Sequence, residues 1–181
     1  YAERVTERTL PNGLKVILLE DHKAPVTVFQ IYYRVGSRND VPGKTGRAHL
    51  LEHMMFKGTG KIGPEEYSRI VQRNGGQTNA FTSRDRTTYF ASIAADRLGV
   101  VIDLEADRMV NSFIAKKDLD SEMTVVRNEL ERGDNEPTNA LMERVLATAY
   151  LWHNYGKSTI GARSDLENVP IERLQAFYRN Y

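Results

Sequence analysis

Residues 45–57 (TGRAHLLEHMMFK) constrain this chain more than any other segment, because as a helix they have almost no wet side. Ala48, Leu50, Leu51, Met54 and Met55 occupy most of the circumference, with Thr45 as the expected cap and Gly58 just past the end. Such a helix must be packed on most sides, so the domain has to bring other elements around it. Its polar residues fall on one arc. With His49 at zero and about 100° per residue, His53 lies about 40° away and Glu52 near about 300°. Two imidazoles and a carboxylate therefore share roughly 100° of a buried or cleft-lining helix. Such groups are costly to bury without partners, and a divalent metal is a strong partner.

The rest of the chain supplies the surrounding elements. Residues 5–10 and 14–20 flank Pro11-Asn12-Gly13 and predict a hairpin, since Asn-Gly accepts the positive φ of a tight turn. Residues 26–35 (VTVFQIYYRV) are rich in β-branched and aromatic side chains and predict a third strand. Residues 36–46 are polar and glycine-containing, hence a loop. Pro64 opens a helix over residues 65–74, stopped by Gly75-Gly76. Residues 77–82 and 87–94 predict a second hairpin around Ser83-Arg84-Asp85-Arg86. Helical periodicity returns over 96–110 and over 119–132, breaks at Gly133 to Pro137, resumes over 139–152, and Pro170 opens a last helix. Strands in an early block with helices interleaved later predict an α+β fold, helices packed on a largely antiparallel sheet. Without repeat, linker or low-complexity run, residues 1–181 read as a single domain.

Composition mainly excludes. Lys and Arg total 25 against 24 for Asp and Glu, a net charge of +1, which gives no basic surface for nucleic acid. There is no cysteine, so disulfides and thiolate ligands are ruled out while the redox compartment stays open. No apolar stretch reaches the roughly 18 residues of a membrane-spanning helix. The chain starts at Tyr1-Ala2-Glu3 without methionine, which suggests a removed leader and favours a bacterial periplasm over the cytoplasm.

The chemistry of the arc assigns roles. A hydrolytic zinc site takes three protein ligands and leaves one position for water. His49 and His53, one turn apart, can aim nitrogens at one metal. Glu52 is poorly placed as a third ligand and better placed to take a proton from an activated water and pass it to the leaving amine. The order His-x-x-Glu-His mirrors the commoner His-Glu-x-x-His arrangement. The third ligand must come from elsewhere. His22 and His153 are the other histidines, but residues 119–132 offer Glu122 and Glu129, seven residues apart and within about 20° of each other on a helix. One of the two could ligate while the other supports, and Glu131 points to the opposite side. The competing readings are ordinary histidines on a packing helix and a solvated acidic face.

Residues 45–59 (TGRAHLLEHMMFKGT), Asn79-Ala80-Phe81-Thr82 and Val125-Val126-Arg127-Asn128-Glu129 resemble the pitrilysin or insulinase-type zinc metallopeptidases, the inverzincins of family M16. That family includes insulin-degrading enzyme and the mitochondrial processing peptidase, and the likeness runs from about Val5 to the C-terminus. Arg47 departs from it, standing where relatives often carry an apolar residue. The resemblance implies a third zinc ligand about 75 residues after the second histidine, and Glu129 lies 129 − 53 = 76 residues on. It implies that Glu122, seven residues earlier, assists catalysis. It also implies that Asn79, Ala80, Phe81 and Thr82 form an edge strand beside the metal, to which a peptide adds as a further strand; an ordinary strand and turn is the competing reading.

The implied function is a zinc endopeptidase domain acting on peptides or unfolded proteins, with Glu52 as general base and His49, His53 and Glu129 on Zn2+. Active members clamp two homologous domains, in one chain or two, around a chamber. The chain matches the first, N-terminal part of one such unit, so the resemblance implies a second domain or a homologous partner subunit for activity. The alternative is a non-catalytic scaffold or partner subunit of a heterodimer of the same family, in which metal motifs are often degraded; here all four motif residues are present.

Overall fold

In the computed structural model, which describes residues 4–181, the strand-rich start and helix-rich remainder form an α+β fold. β1 (Val5–Thr9) and β2 (Lys15–Leu19) pair antiparallel, Val5 opposite Leu19 and Thr9 opposite Lys15. β3 (Val26–Tyr33), β4 (Gln77–Thr82) and β5 (Thr87–Ala94) form a second sheet in the order β3-β5-β4, also antiparallel throughout. The expected antiparallel sheet is thus present in two pieces, and β4 lies at an edge of the larger one. Alternation along the strands decides which face is buried. Phe29, Ile31, Tyr89, Ala91, Ile93 and Ala80 turn inward to the helices, while Val28, Tyr32 and Phe81 stay exposed on the far face.

The described residues form seven α-helices: α1 (Arg47–Met54) and α2 (Glu66–Arg73) between β3 and β4, then α3 (Leu98–Asn111), α4 (Lys116–Asp134), α5 (Pro137–Tyr150), the short α6 (Arg163–Leu166) and α7 (Ile171–Asn180) after β5. None of them is long and apolar enough to cross a membrane. As its composition demands, α1 is central. Leu50 and Met54 are fully buried, and they belong to one core with Val35, Tyr89, Leu119, Val126, Leu174 and Phe177. A second apolar cluster, Tyr67, Val71, Ala91, Ile93 and Val101, lies between α2, α3 and the sheet, and Phe56 packs against both. Near Phe56 sits Arg108 of α3, itself buried. Its guanidinium lies 4.1, 4.4 and 4.9 Å from the ring centroids of Tyr89, Tyr67 and Phe56, and its charge is matched by Glu105 at 2.6 Å. The Tyr67 hydroxyl donates to the same Glu105 oxygen at 2.6 Å.

Three local expectations are corrected. Gly46, not Thr45, caps α1, in a left-handed conformation with φ of 85° that glycine accepts without strain. Thr45 is instead spent on a distant contact: its N–H and hydroxyl both donate to Asp165 Oδ2, at 2.8 and 2.7 Å. The N–H of Gly46 goes to Asp40 Oδ2 at 2.8 Å, so one carboxylate from the preceding loop and one from a remote segment hold the start of α1. Second, α4 starts three residues before the expected 119 and passes through Gly133 to Asp134. A helical glycine costs only about 1 kcal/mol, and the chain breaks at Asn135 and Glu136 ahead of Pro137, which takes the first position of α5 where its missing N–H does no harm. Third, α5 correspondingly ends at Tyr150, before Trp152.

Two outcomes follow from this packing. Leu50→Ala empties a site that is 0 % exposed and is expected to lower unfolding free energy by about 2–5 kcal/mol, read by chemical denaturation. Asp40 gives a pH signature. Burial pushes its carboxyl up from 3.8 to about 6, against the hydrogen bonds from the α1 N-terminus that pull it down. A folded-state pKa above the unfolded one contributes stability that is full below the unfolded value and is lost as pH rises through about 6. Asp40→Asn keeps an acceptor for the Gly46 N–H without the charge. Its stability relative to wild type is therefore expected to improve as pH is raised from about 4 to about 6, measured by denaturation across that range.

Candidate metal centre

α1 packs against α4, and the facing side chains are those the helical spacing selects. His49 and His53 are one turn apart on α1; Glu122 and Glu129 are two turns apart on α4. Their ends converge. His49 Nε2 lies 3.3 Å from His53 Nε2, and Glu129 Oε2 lies 3.4 Å from His53 Nε2 and 3.7 Å from His49 Nε2. Among the described residues, His49, His53 and Glu129 form the group with ligand atoms close enough to share one ion. Donors about 2.0–2.1 Å from a tetrahedral zinc are separated by about 3.3–3.4 Å, so this triangle has the dimensions of one face of such a site. Both histidine side chains are mostly buried, whereas that of Glu129 is 49 % exposed, which leaves the cluster open on one side.

Hydrogen bonding fixes the direction of His53. Its Nδ1 lies 2.9 Å from Glu122 Oε1, and the other Glu122 oxygen is ion-paired with Lys57. With the Nδ1 proton donated to Glu122, the Nε2 lone pair of His53 faces His49 Nε2 and Glu129 Oε2, a set of donor atoms that one shared cation would satisfy. Burial, and His53 beside it, hold His49 down to about 4, so its imidazole is neutral and able to ligate at neutral pH. Its Nδ1 is buried with no hydrogen-bond partner.

Glu52, 9 % exposed, is not part of the triangle. Its Oε2 accepts the Thr82 hydroxyl of β4 at 2.5 Å. Burial pushes its carboxyl above the usual range, more than the Thr82 hydrogen bond pulls it down. Of the four residues expected at the substrate strand, Thr82 thus touches the candidate base, Ala80 packs against the α1 core, and Asn79 and Phe81 are exposed on the other face of β4. His22 and His153 stay apart. His22 is near Glu20, and His153 accepts from the Tyr155 N–H. Lys57 carries no local sequence signal, because its partner Glu122 lies on a distant helix and Lys57 itself stands past the end of α1.

Residues 15–163 match the model of the insulinase family, peptidase family M16. The chain is 37 % identical over its whole length to the zinc protease PqqE of Helicobacter pylori, of which it spans 41 %. The crystal structure of a protease from Helicobacter pylori superposes with a TM-score of 0.92 at 36 % identity, covering 96 % of this chain and 42 % of that one. Pitrilysin superposes with a TM-score of 0.83 at 25 % identity, over 98 % of this chain and 19 % of that one. A family match over most of the chain, carried by a shared fold, makes this protein a member of the insulinase peptidases, family M16.

Proposed function

We propose that the chain is the metal-binding, catalytic domain of a zinc-dependent endopeptidase that hydrolyses peptides or unfolded proteins. The observation that carries this is the triangle of His49 Nε2, His53 Nε2 and Glu129 Oε2, with edges of 3.3, 3.4 and 3.7 Å. The naming of the Helicobacter pylori relative as a zinc protease supports the choice of metal. These three residues would hold a zinc ion, whose Lewis acidity would make water nucleophilic at neutral pH and polarise a peptide carbonyl.

The protein side chains do the rest. Glu52 takes the proton of the attacking water and returns it to the leaving nitrogen, a task suited to a carboxyl whose pKa is raised by burial. Thr82 holds Glu52 in place through its hydroxyl. Glu122 keeps His53 oriented through Nδ1. The outer edge of β4, Asn79 to Thr82, offers main-chain groups to an extended peptide, which fits a peptidase that makes little demand on side chains. Residues 1–181 act in this reading as one domain against a second homologous domain or subunit. The chain's span of 41 % of its Helicobacter pylori relative agrees with that.

Two outcomes test the reading in the full-length protein. Glu52→Gln is expected to retain zinc, measured by metal analysis, while cleavage of an unstructured peptide falls by about 10²–10⁴-fold; unchanged cleavage overturns the role of Glu52. Glu129→Gln is expected to weaken zinc binding in chelator competition, whereas His22→Ala leaves it unchanged. A folded wild-type protein with no appreciable zinc affinity would instead favour the non-catalytic partner subunit.

A further inference from the structure

The ammonium of Lys57 pairs with Glu122 Oε2, the oxygen that His53 does not use. Its position is built by the end of α1. The Lys57 N–H donates to the Met54 carbonyl at 3.1 Å as the helix closes. Gly58 follows with φ of 102°, where a Cβ would lie 2.7 Å from the Ile62 carbonyl oxygen, so the chain turns sharply after Lys57. The Gly58 carbonyl then accepts from the Phe113 N–H at 2.9 Å, and Thr59 bridges to Ser112 just ahead of α4. Lys57 is therefore pinned beside the helix that carries Glu122, with its side chain only 17 % exposed.

A carboxylate bound by one imidazole alone keeps a soft terminal torsion and can exchange its two oxygens or turn toward other partners. Glu122 lacks that freedom, because Oε1 meets His53 Nδ1 at 2.9 Å and Oε2 is taken by Lys57. We infer that Lys57 is a positioning residue of the metal centre: by holding Glu122 Oε2 it fixes Oε1 on His53 Nδ1, and so keeps the His53 Nε2 lone pair aimed at the point shared with His49 and Glu129. Outer partners of a ligating histidine set its tautomer and ring orientation in this way. The chain of contacts runs Lys57, Glu122, His53, and the lysine itself touches neither metal nor substrate. The inference rests on the zinc reading above, and its test is arranged to fail separately.

The full chain is compared as wild type, Lys57→Met, which keeps the stem and removes the charge, and Lys57→Arg, which keeps the charge. Two quantities are read: zinc affinity by competition with a chromophoric chelator, and the tautomer of His53 from ¹⁵N shifts of the metal-free protein. Lys57→Met is expected to bind zinc about 10- to 100-fold more weakly and to show mixed His53 tautomers, with Lys57→Arg restoring most of both. Unchanged affinity and a single tautomer in Lys57→Met overturn the inference. So does weaker affinity with an unchanged tautomer, since the effect would not then pass through His53. If wild type itself fails to bind zinc, the zinc reading falls, and the tautomer comparison alone decides the role of Lys57. Should Lys57→Met not fold, Lys57→Gln is read by the same two measurements.

Discussion

The structure depends on burying α1 nearly all round. A helix with Leu50, Leu51, Met54 and Met55 on most of its surface is stable only when elements close over it, and here β4, β5, α4 and α7 do so. That enclosure sets the electrostatics of the site. His49 and Glu52 are carried into the interior by their apolar neighbours, and their pKa values move in the directions burial dictates, imidazole down and carboxyl up. The hydrophobic demand of one helix thus produces a neutral imidazole and a carboxyl held above the usual range. The start of the helix is held by two carboxylates, the nearby Asp40 on Gly46 and the distant Asp165 on Thr45.

The sequence made the site unusually legible because its key spacings are helical. Positions 49, 52 and 53 lie on one arc of α1 whatever the rest of the fold does, and positions 122 and 129 share one face of α4. Periodicity alone could not say which glutamate meets which nitrogen. Seven residues advance a helix by about 10 Å, so the two carboxylates reach His53 from different heights, and only the docking of α4 on α1 sends Glu129 to Nε2 and Glu122 to Nδ1. In the sequence, the family resemblance and not the helix geometry is what distinguishes them. What stayed hidden shares one cause: it arises from contacts between distant segments. The grip of Asp165 on Thr45 spans 120 residues, and the rings around Arg108 come from other segments, beyond the reach of local spacing.

Arg108 shows why such a group escapes a pattern-based reading. A buried guanidinium is costly unless its charge and donors are met, and here Glu105 and three aromatic faces meet most of them. Its Nη1 is left without a hydrogen-bond partner, so the arrangement is not a fully satisfied network. It also links the two cores, since Tyr89 belongs to the α1 core, Tyr67 to the α2 cluster, and Phe56 packs against both. Truncating Glu105 would strand an uncompensated charge among those rings, a harsher change than exchanging the whole pair for apolar groups of similar size.

β4 carries a second constraint, one that couples substrate to base in the proposed mechanism. Its side chains alternate, so Thr78, Ala80 and Thr82 face inward while Asn79 and Phe81 face out. The register is set by the turn after it: Thr82 pairs with Thr87, and the Ser83 N–H donates to the Arg86 carbonyl at 2.8 Å. A slip of one residue would send every inward side chain to the other face, bringing Phe81 toward Glu52 in place of the Thr82 hydroxyl. The same register decides which main-chain groups of β4 a paired peptide would meet. In the proposed mechanism one hairpin turn therefore aligns both the main-chain groups a paired peptide would meet and the Thr82 hydroxyl that holds Glu52.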